Sequence, residues 1–132
     1  MEKKLLQLEY LIGAVSLRSL WRQISTPAGL ETWLAERVTN NIGKLEYTFH
    51  WSKGNEEIAD IVECVENSSI TFHWQHEESK DYYLKFSIQS EELTRAFTLQ
   101  VSDFTTEEDQ DNTKLFWDMV IVELKKSLGA EL

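Results

Sequence analysis

The sequence predicts an α+β fold: a curved antiparallel β-sheet covered by one long C-terminal helix. Three observations predict it. Apolar and polar residues alternate in several stretches between Leu45 and Val101, the period of half-buried strands. Two short segments with helix-capping residues precede that run. The chain then closes with apolar residues recurring every three or four positions from Phe116 to Leu128, the period of a helix face.

The elements follow in order. Leu6, Leu8, Tyr10 and Ile12 alternate with Gln7, Glu9 and Leu11 and form a strand that Gly13 ends. Ser16 caps a helix with apolar positions Leu17, Leu20, Trp21 and Ile24. Thr26 is an N-cap and Pro27, the only proline, fits the first helical position, so a second helix runs through Leu30, Trp33 and Leu34. After a turn at Asn40–Gly43, Leu45, Tyr47, Phe49 and Trp51 share one strand face and Glu46, Thr48 and His50 the other. Lys53-Gly54-Asn55 reads as a hairpin turn. The strand from Glu57 to Glu66 has competing apolar sets, which predicts a bulge or burial on both faces. Further strands carry Ile70, Phe72 and Trp74, then Tyr82, Leu84, Phe86 and Ile88, then Arg95, Phe97, Leu99 and Val101. The acidic stretch Thr105–Asp111 leads into the last helix, Gly129 stops it, and Lys125 and Lys126 suit its C-terminal dipole. Only that helix is long and apolar enough to cover the sheet. A strongly curved sheet around one helix leaves space between them.

The 132 residues fit one domain spanning 1–132. A chain of this size buries roughly two-thirds of its unfolded surface, enough for a core without staples. A formal charge of −10 argues against nucleic acid and against anionic membrane surfaces. One cysteine, Cys64, excludes an internal disulfide and a cysteine-based zinc site, and is expected to be a buried or half-buried small side chain. The N-terminus lacks a signal-peptide core, and no apolar run approaches the ~20 residues of a membrane span. The cytoplasm is the expected location.

The element order resembles the START-like (helix-grip, SRPBCC) superfamily, in particular the branch related to the activator of Hsp90 ATPase. Leu20-Trp21 through Ser25-Thr26-Pro27 to Trp33-Leu34-Ala35 is similar to the family's helix pair. Ser69 to Trp74 is similar to a family strand, and Phe116-Trp117 through Leu124-Lys125-Lys126-Ser127-Leu128 to its closing helix. The family often carries a Gly-Gly pair before the strand near Leu45; here Gly43 follows Ile42. The resemblance implies a helix-grip scaffold that binds a hydrophobic ligand or a protein partner, and it identifies no catalytic residue.

The block Thr-Phe-His-Trp occurs twice, at 48–51 and 71–74. Alternation sends Phe49, Trp51, Phe72 and Trp74 inward and His50 and His73 outward, as surface residues. His76 lies in a polar loop. No Asp, Glu or Cys pattern completes a metal set around them. The inward aromatics are the strongest site candidates: Tyr47, Phe49, Trp51, Phe72, Trp74, Tyr82, Phe86 and Phe97, with Trp33 near one end and Trp117 and Val120 facing them from the helix. Either these rings fill an ordinary core, or they line a partly open pocket. Arg95 and Asp103 share the inward parity; either both reach solvent at strand ends, or Arg95 orients a polar ligand head. The expected function is non-enzymatic binding of a small hydrophobic or amphipathic molecule between sheet and helix. The alternatives are a protein-interaction module and, further off, a cyclase- or hydrolase-like enzyme. No catalytic residue, metal or cofactor is expected; a small hydrophobic ligand is, with a protein partner or homodimer as the other choice.

Overall fold

A computed structural model describes residues 2–129. The elements are β1 (Lys4–Gly13), α1 (Leu17–Ser25), α2 (Pro27–Leu30), β2 (Arg37–Asn40), β3 (Glu46–His50), β4 (Glu56–Val65), β5 (Ser69–Trp74), β6 (Leu84–Ser90), β7 (Phe97–Thr105) and α3 (Gln110–Ser127). The strands form one antiparallel sheet in the order β1-β7-β6-β5-β4-β3-β2. The chain thus lays down a meander from β2 to β7 and closes it with its first strand. α3 covers one face, giving the α+β helix-grip architecture that the sequence predicts. Among the described residues, no helix is long and apolar enough to cross a membrane.

Side-chain registry makes one face continuous. Phe49 lies opposite Val38 and Glu57, Trp74 opposite Ala59, Phe72 opposite Ile61 and Leu84, and Phe86 opposite Ile70 and Val101. On the last pair, Leu8 and Tyr10 face Val101 and Leu99. The expected bulge falls between Ile61 and Glu63, where β4 slips by one residue against β5. Past it, Val62 to Val65 all lie exposed. Cys64 therefore reaches solvent and is not the buried side chain expected from its strand.

The helix pair is held by its caps. Ser16 Oγ accepts from Ser19 N, and Thr26 Oγ1 accepts from Gly29 N, as N-caps do. The last carbonyls of α1 find partners outside the helix: Thr26 N and Oγ1 donate to Arg22 O, Trp33 Nε1 to Gln23 O, and Tyr47 Oη to Ser25 O. Gly29 permits this crossing. A Cβ there would stand 2.1 Å from the Arg22 carbonyl oxygen, so the two helices meet backbone to backbone.

Several elements depart from expectation. α2 stops at Leu30, where Thr32 N and Oγ1 both donate to Gly29 O; Trp33 and Leu34 lie in the following turn, still buried. β2 has one apolar residue, Val38, too few for a period to show. It forms by pairing with β3, and Glu31 Oε2 accepts from Val38 N on its side of the sheet. His73 keeps outward parity but is only 4% exposed, because the loop after β5 folds over it and Ser79 O accepts from its Nε2 at 3.0 Å.

α3 buries Trp117, Ile121 and Leu124 and leaves Leu115, Met119 and Val122 exposed. Two polar contacts fix its N-terminal half: Trp117 Nε1 donates to Asp103 Oδ2 at 3.0 Å, and the Thr105 and Thr113 hydroxyls meet at 2.8 Å. A third joins it to β1, where Tyr10 Oη donates to Asp118 Oδ1 at 2.7 Å. Lys114 Nζ, donating to Asp118 Oδ2 at 2.8 Å, and then the Tyr10 bond hold the Asp118 carboxyl below its usual range. Burial, followed by this same bond, raises the Tyr10 phenol. Gly129 ends the helix at φ +71°, with its N–H donating to Lys126 O.

Candidate functional site

The covered face is filled at its centre and open at one end. Phe49, Phe72 and Phe86 are 0% exposed and interlock edge to face, Phe49 on Phe72 at 5.9 Å and Phe72 on Phe86 at 6.2 Å. Trp117 closes on Phe86 at 5.7 Å from the helix, and Trp33 packs on it at 5.6 Å. The three phenylalanines are the middle of the core and line none of the hollows around it. Tyr47 packs beside Phe72, its hydroxyl committed to Ser25 O.

Beyond this wedge, between the N-terminal half of α3 and the sheet end formed by the start of β4 and the end of β5, lies a half-open hollow of about 520 Å³. Trp51, Trp74, Leu34, Leu84, Phe116 and Trp117 wall it; Asp103, Glu56, Glu57 and Asn55 supply its polar atoms. The volume suits a small ligand. A second hollow of about 550 Å³, under the α2–β2 turn, shares Leu34, Trp51 and Phe116 and includes Trp33. A third, of about 400 Å³, shares Asp103 and Phe116. Phe116, 40% exposed, borders all three. A crevice at the opposite end of the sheet is larger, about 590 Å³, but its lining (Ile12 to Ser16, Leu128 and Gly129) holds no aromatic or ionisable side chain.

Of the residues predicted from sequence, Trp51, Trp74 and Trp117 line the hollow and Trp33 the adjoining one. Four lie elsewhere. Tyr82 precedes β6 and packs on Phe104 at 5.2 Å, its hydroxyl accepting from Lys3 N, so it stands outside the inner ring cluster. Arg95 is exposed in the β6–β7 turn, at φ +59°; this left-handed residue breaks the alternation that assigned it inward. Phe97 is half-buried beside Gly13, at the far end. Val120 packs on the core without reaching the hollow. Sequence reasoning missed Leu34, Leu84 and Phe116 as walls, and Glu56 and Glu57 at the rim. Glu57 was legible in principle, since it stands opposite Phe49 on the covered face.

Asp103 is the polar focus. Its Oδ2 accepts from Trp117 Nε1 and its Oδ1 from Phe104 N at 2.8 Å. Burial raises its pKa; the two hydrogen bonds and Lys3 oppose the shift without cancelling it. With both oxygens engaged, Asp103 is held as a fixed group. At the rim, His50 Nδ1 stands 3.4 Å from Glu56 Oε2, and His76 Nε2 3.0 Å from Glu57 Oε2. The His76 ring stacks on Trp74. Trp51 Nε1 is buried and finds no acceptor among the described residues. No group of three His, Cys, Asp or Glu side chains among the described residues is arranged to hold a metal ion.

A curved sheet gripping one helix, with a half-open aromatic hollow at one end, defines a helix-grip protein. The chain matches the START-like superfamily domain over residues 1–130 and belongs to that superfamily. A Bacteroides fragilis protein of known solution structure is 35% identical, with a TM-score of 0.68 over 100% of this chain and 95% of that one. The Aha1 dimer from Colwellia psychrerythraea is 14% identical, with a TM-score of 0.72 over 93% of this chain and 96% of that one. A Mesorhizobium loti protein, also 14% identical, has a TM-score of 0.74 over 98% and 100%. At 14% identity these last two share the fold. No curated protein matches significantly.

Asp103 carries a pH signature. An acid whose folded pKa is raised costs stability when ionised. The cost is absent below its unfolded pKa and complete above its folded one. Asp103→Asn removes the titrating group while keeping an acceptor for Trp117. Thermal unfolding should show the variant gaining on the parent by a few degrees as pH rises from about 3 to about 7. A difference that stays flat, or falls, would contradict this assignment.

Proposed function

We propose that the protein is a non-enzymatic binder of a small amphipathic molecule, held in the hollow between α3 and the sheet end. One observation carries this reading: six apolar or aromatic side chains, Leu34, Trp51, Trp74, Leu84, Phe116 and Trp117, converge on one open space with a single deep polar group, Asp103. Sites for small molecules have this composition, apolar walls with few placed polar atoms. The filled centre limits the ligand to the end of the sheet and its adjoining hollows. Phe116 is the side chain placed to move when a ligand enters. As a buried donor without a partner, Trp51 Nε1 offers a hydrogen bond to an acceptor on the ligand.

A second reading is self-association through the exposed stripe of Leu115, Met119 and Val122 on α3. The Colwellia relative is a dimer. If the stripe is an interface, light scattering gives twice the monomer mass and Met119→Glu restores the monomer; a monomeric parent removes this reading.

The test of the principal reading fills the hollow from its rim. Asn55 is exposed and its side chain lines the space, so Asn55→Trp occupies volume without touching the core. A neutral apolar fluorophore such as N-phenyl-1-naphthylamine should bind the parent saturably at one site. The variant should bind at least about tenfold more weakly, the loss of about 1.4 kcal/mol. Unsaturable binding by the parent, or equal binding by both, would overturn the proposal.

A further inference from the structure

The rim and floor of the hollow carry a charge pattern of one sign. Asp103, Glu56 and Glu57 line it, and no lysine or arginine does among the described residues. Lys3 lines the adjoining hollow of about 400 Å³, which shares Asp103, and pairs there with Glu77 Oε2 at 2.5 Å. Four aromatic rings wall the first hollow: Trp51, Trp74, Phe116 and Trp117. Aromatic faces present negative potential to a cation, and tryptophan does so most strongly. Around the site the whole chain carries −10, and a low-dielectric cleft focuses such a field on its mouth.

We propose that the ligand of this hollow is an organic cation: an ammonium group seated against Asp103 and the tryptophan faces, with an apolar tail along Leu34 and Phe116. The proposal rests on the ligand-binding reading above and adds the charge of the head group. An anionic head such as a carboxylate would meet three carboxylates and no lysine or arginine in the lining. A neutral head would leave the half-buried Asp103 with Lys3 as its nearby cation, and Lys3 already pairs with Glu77. A cationic head supplies a counter-charge, and the alkyl groups of a substituted ammonium lose little hydration on entering an aromatic site. The glutamates stand at the outer edge, Glu56 exposed and Glu57 half-buried, where they attract a cation without being desolvated.

Three probes with the same ten-carbon tail separate head-group charge from tail: decyltrimethylammonium, decanol and decanoate, titrated calorimetrically below their micellar concentrations. The cation should bind at least about tenfold more tightly than decanol, and decanoate most weakly. Asp103→Asn and, independently, the rim change Glu57→Gln should each reduce the preference several-fold; the rim variant covers the case in which Asp103→Asn fails to fold. A double change of equal or greater charge at exposed Glu91 and Glu92, both to Gln, should leave it intact. Equal binding of cation and decanol overturns the charge assignment and leaves the hollow as a binding site. No saturable binding of any probe overturns both. A control variant that weakens the cation as much as the site variants assigns binding to the general surface, and also overturns the proposal.

Discussion

The structure depends on one wedge of rings. Phe49, Phe72 and Phe86 come from β3, β5 and β6 of the meander, and Trp117 meets them from α3. Each ring presents an edge to a neighbouring face, the arrangement that aromatic quadrupoles favour. The wedge does two things. It holds the helix at a fixed height above the concave sheet, and it closes the centre of the space between them. Beyond Trp74 and Trp51, where the wedge ends, an aromatic-walled volume remains, and ionisable side chains gather there. Position and size of the hollow follow from where the largest residues fall.

The second determinant is the placement of charge. Asp103 continues the inward alternation of Leu99 and Val101, so strand geometry brings it to the covered face. Trp117, a wedge residue, holds it there through its indole N–H. One side chain thus closes the core with its ring and orients the half-buried acid with its nitrogen. Burial makes the ionised form of that acid unfavourable.

Much of this was legible in the sequence. Alternation placed the two aromatic pairs of the Thr-Phe-His-Trp blocks inward, and capping residues placed α1, α2 and the end of α3. The misses have physical causes. β2 is four residues long with one apolar side chain, and exists because β3 offers it a partner. Arg95 fits the parity of β7, but a left-handed turn residue resets parity and leaves no mark in hydrophobicity. His73 has outward parity, yet a later loop covers it; no periodic pattern encodes which loop folds over which face. For the site, sequence identified rings but did not separate those that fill from those that line. That distinction is set by depth along the strand and by the curvature of the whole sheet. Phe116 shows the same limit, since its neighbour Trp117 is buried while it stands at the mouth of the hollow.

The most direct test of the central claim is where a ligand lands. The chain has five indole N–H groups, each a separate signal in a nitrogen-correlated NMR spectrum. Titration with decyltrimethylammonium should shift the signals of Trp51, Trp74 and Trp117 most and leave Trp21, on α1 and outside the hollow, in place. Shifts confined to residues around Ile12 and Leu128, or shifts equal across all five indoles, would contradict an account in which the filled centre leaves one working site at the N-terminal end of α3.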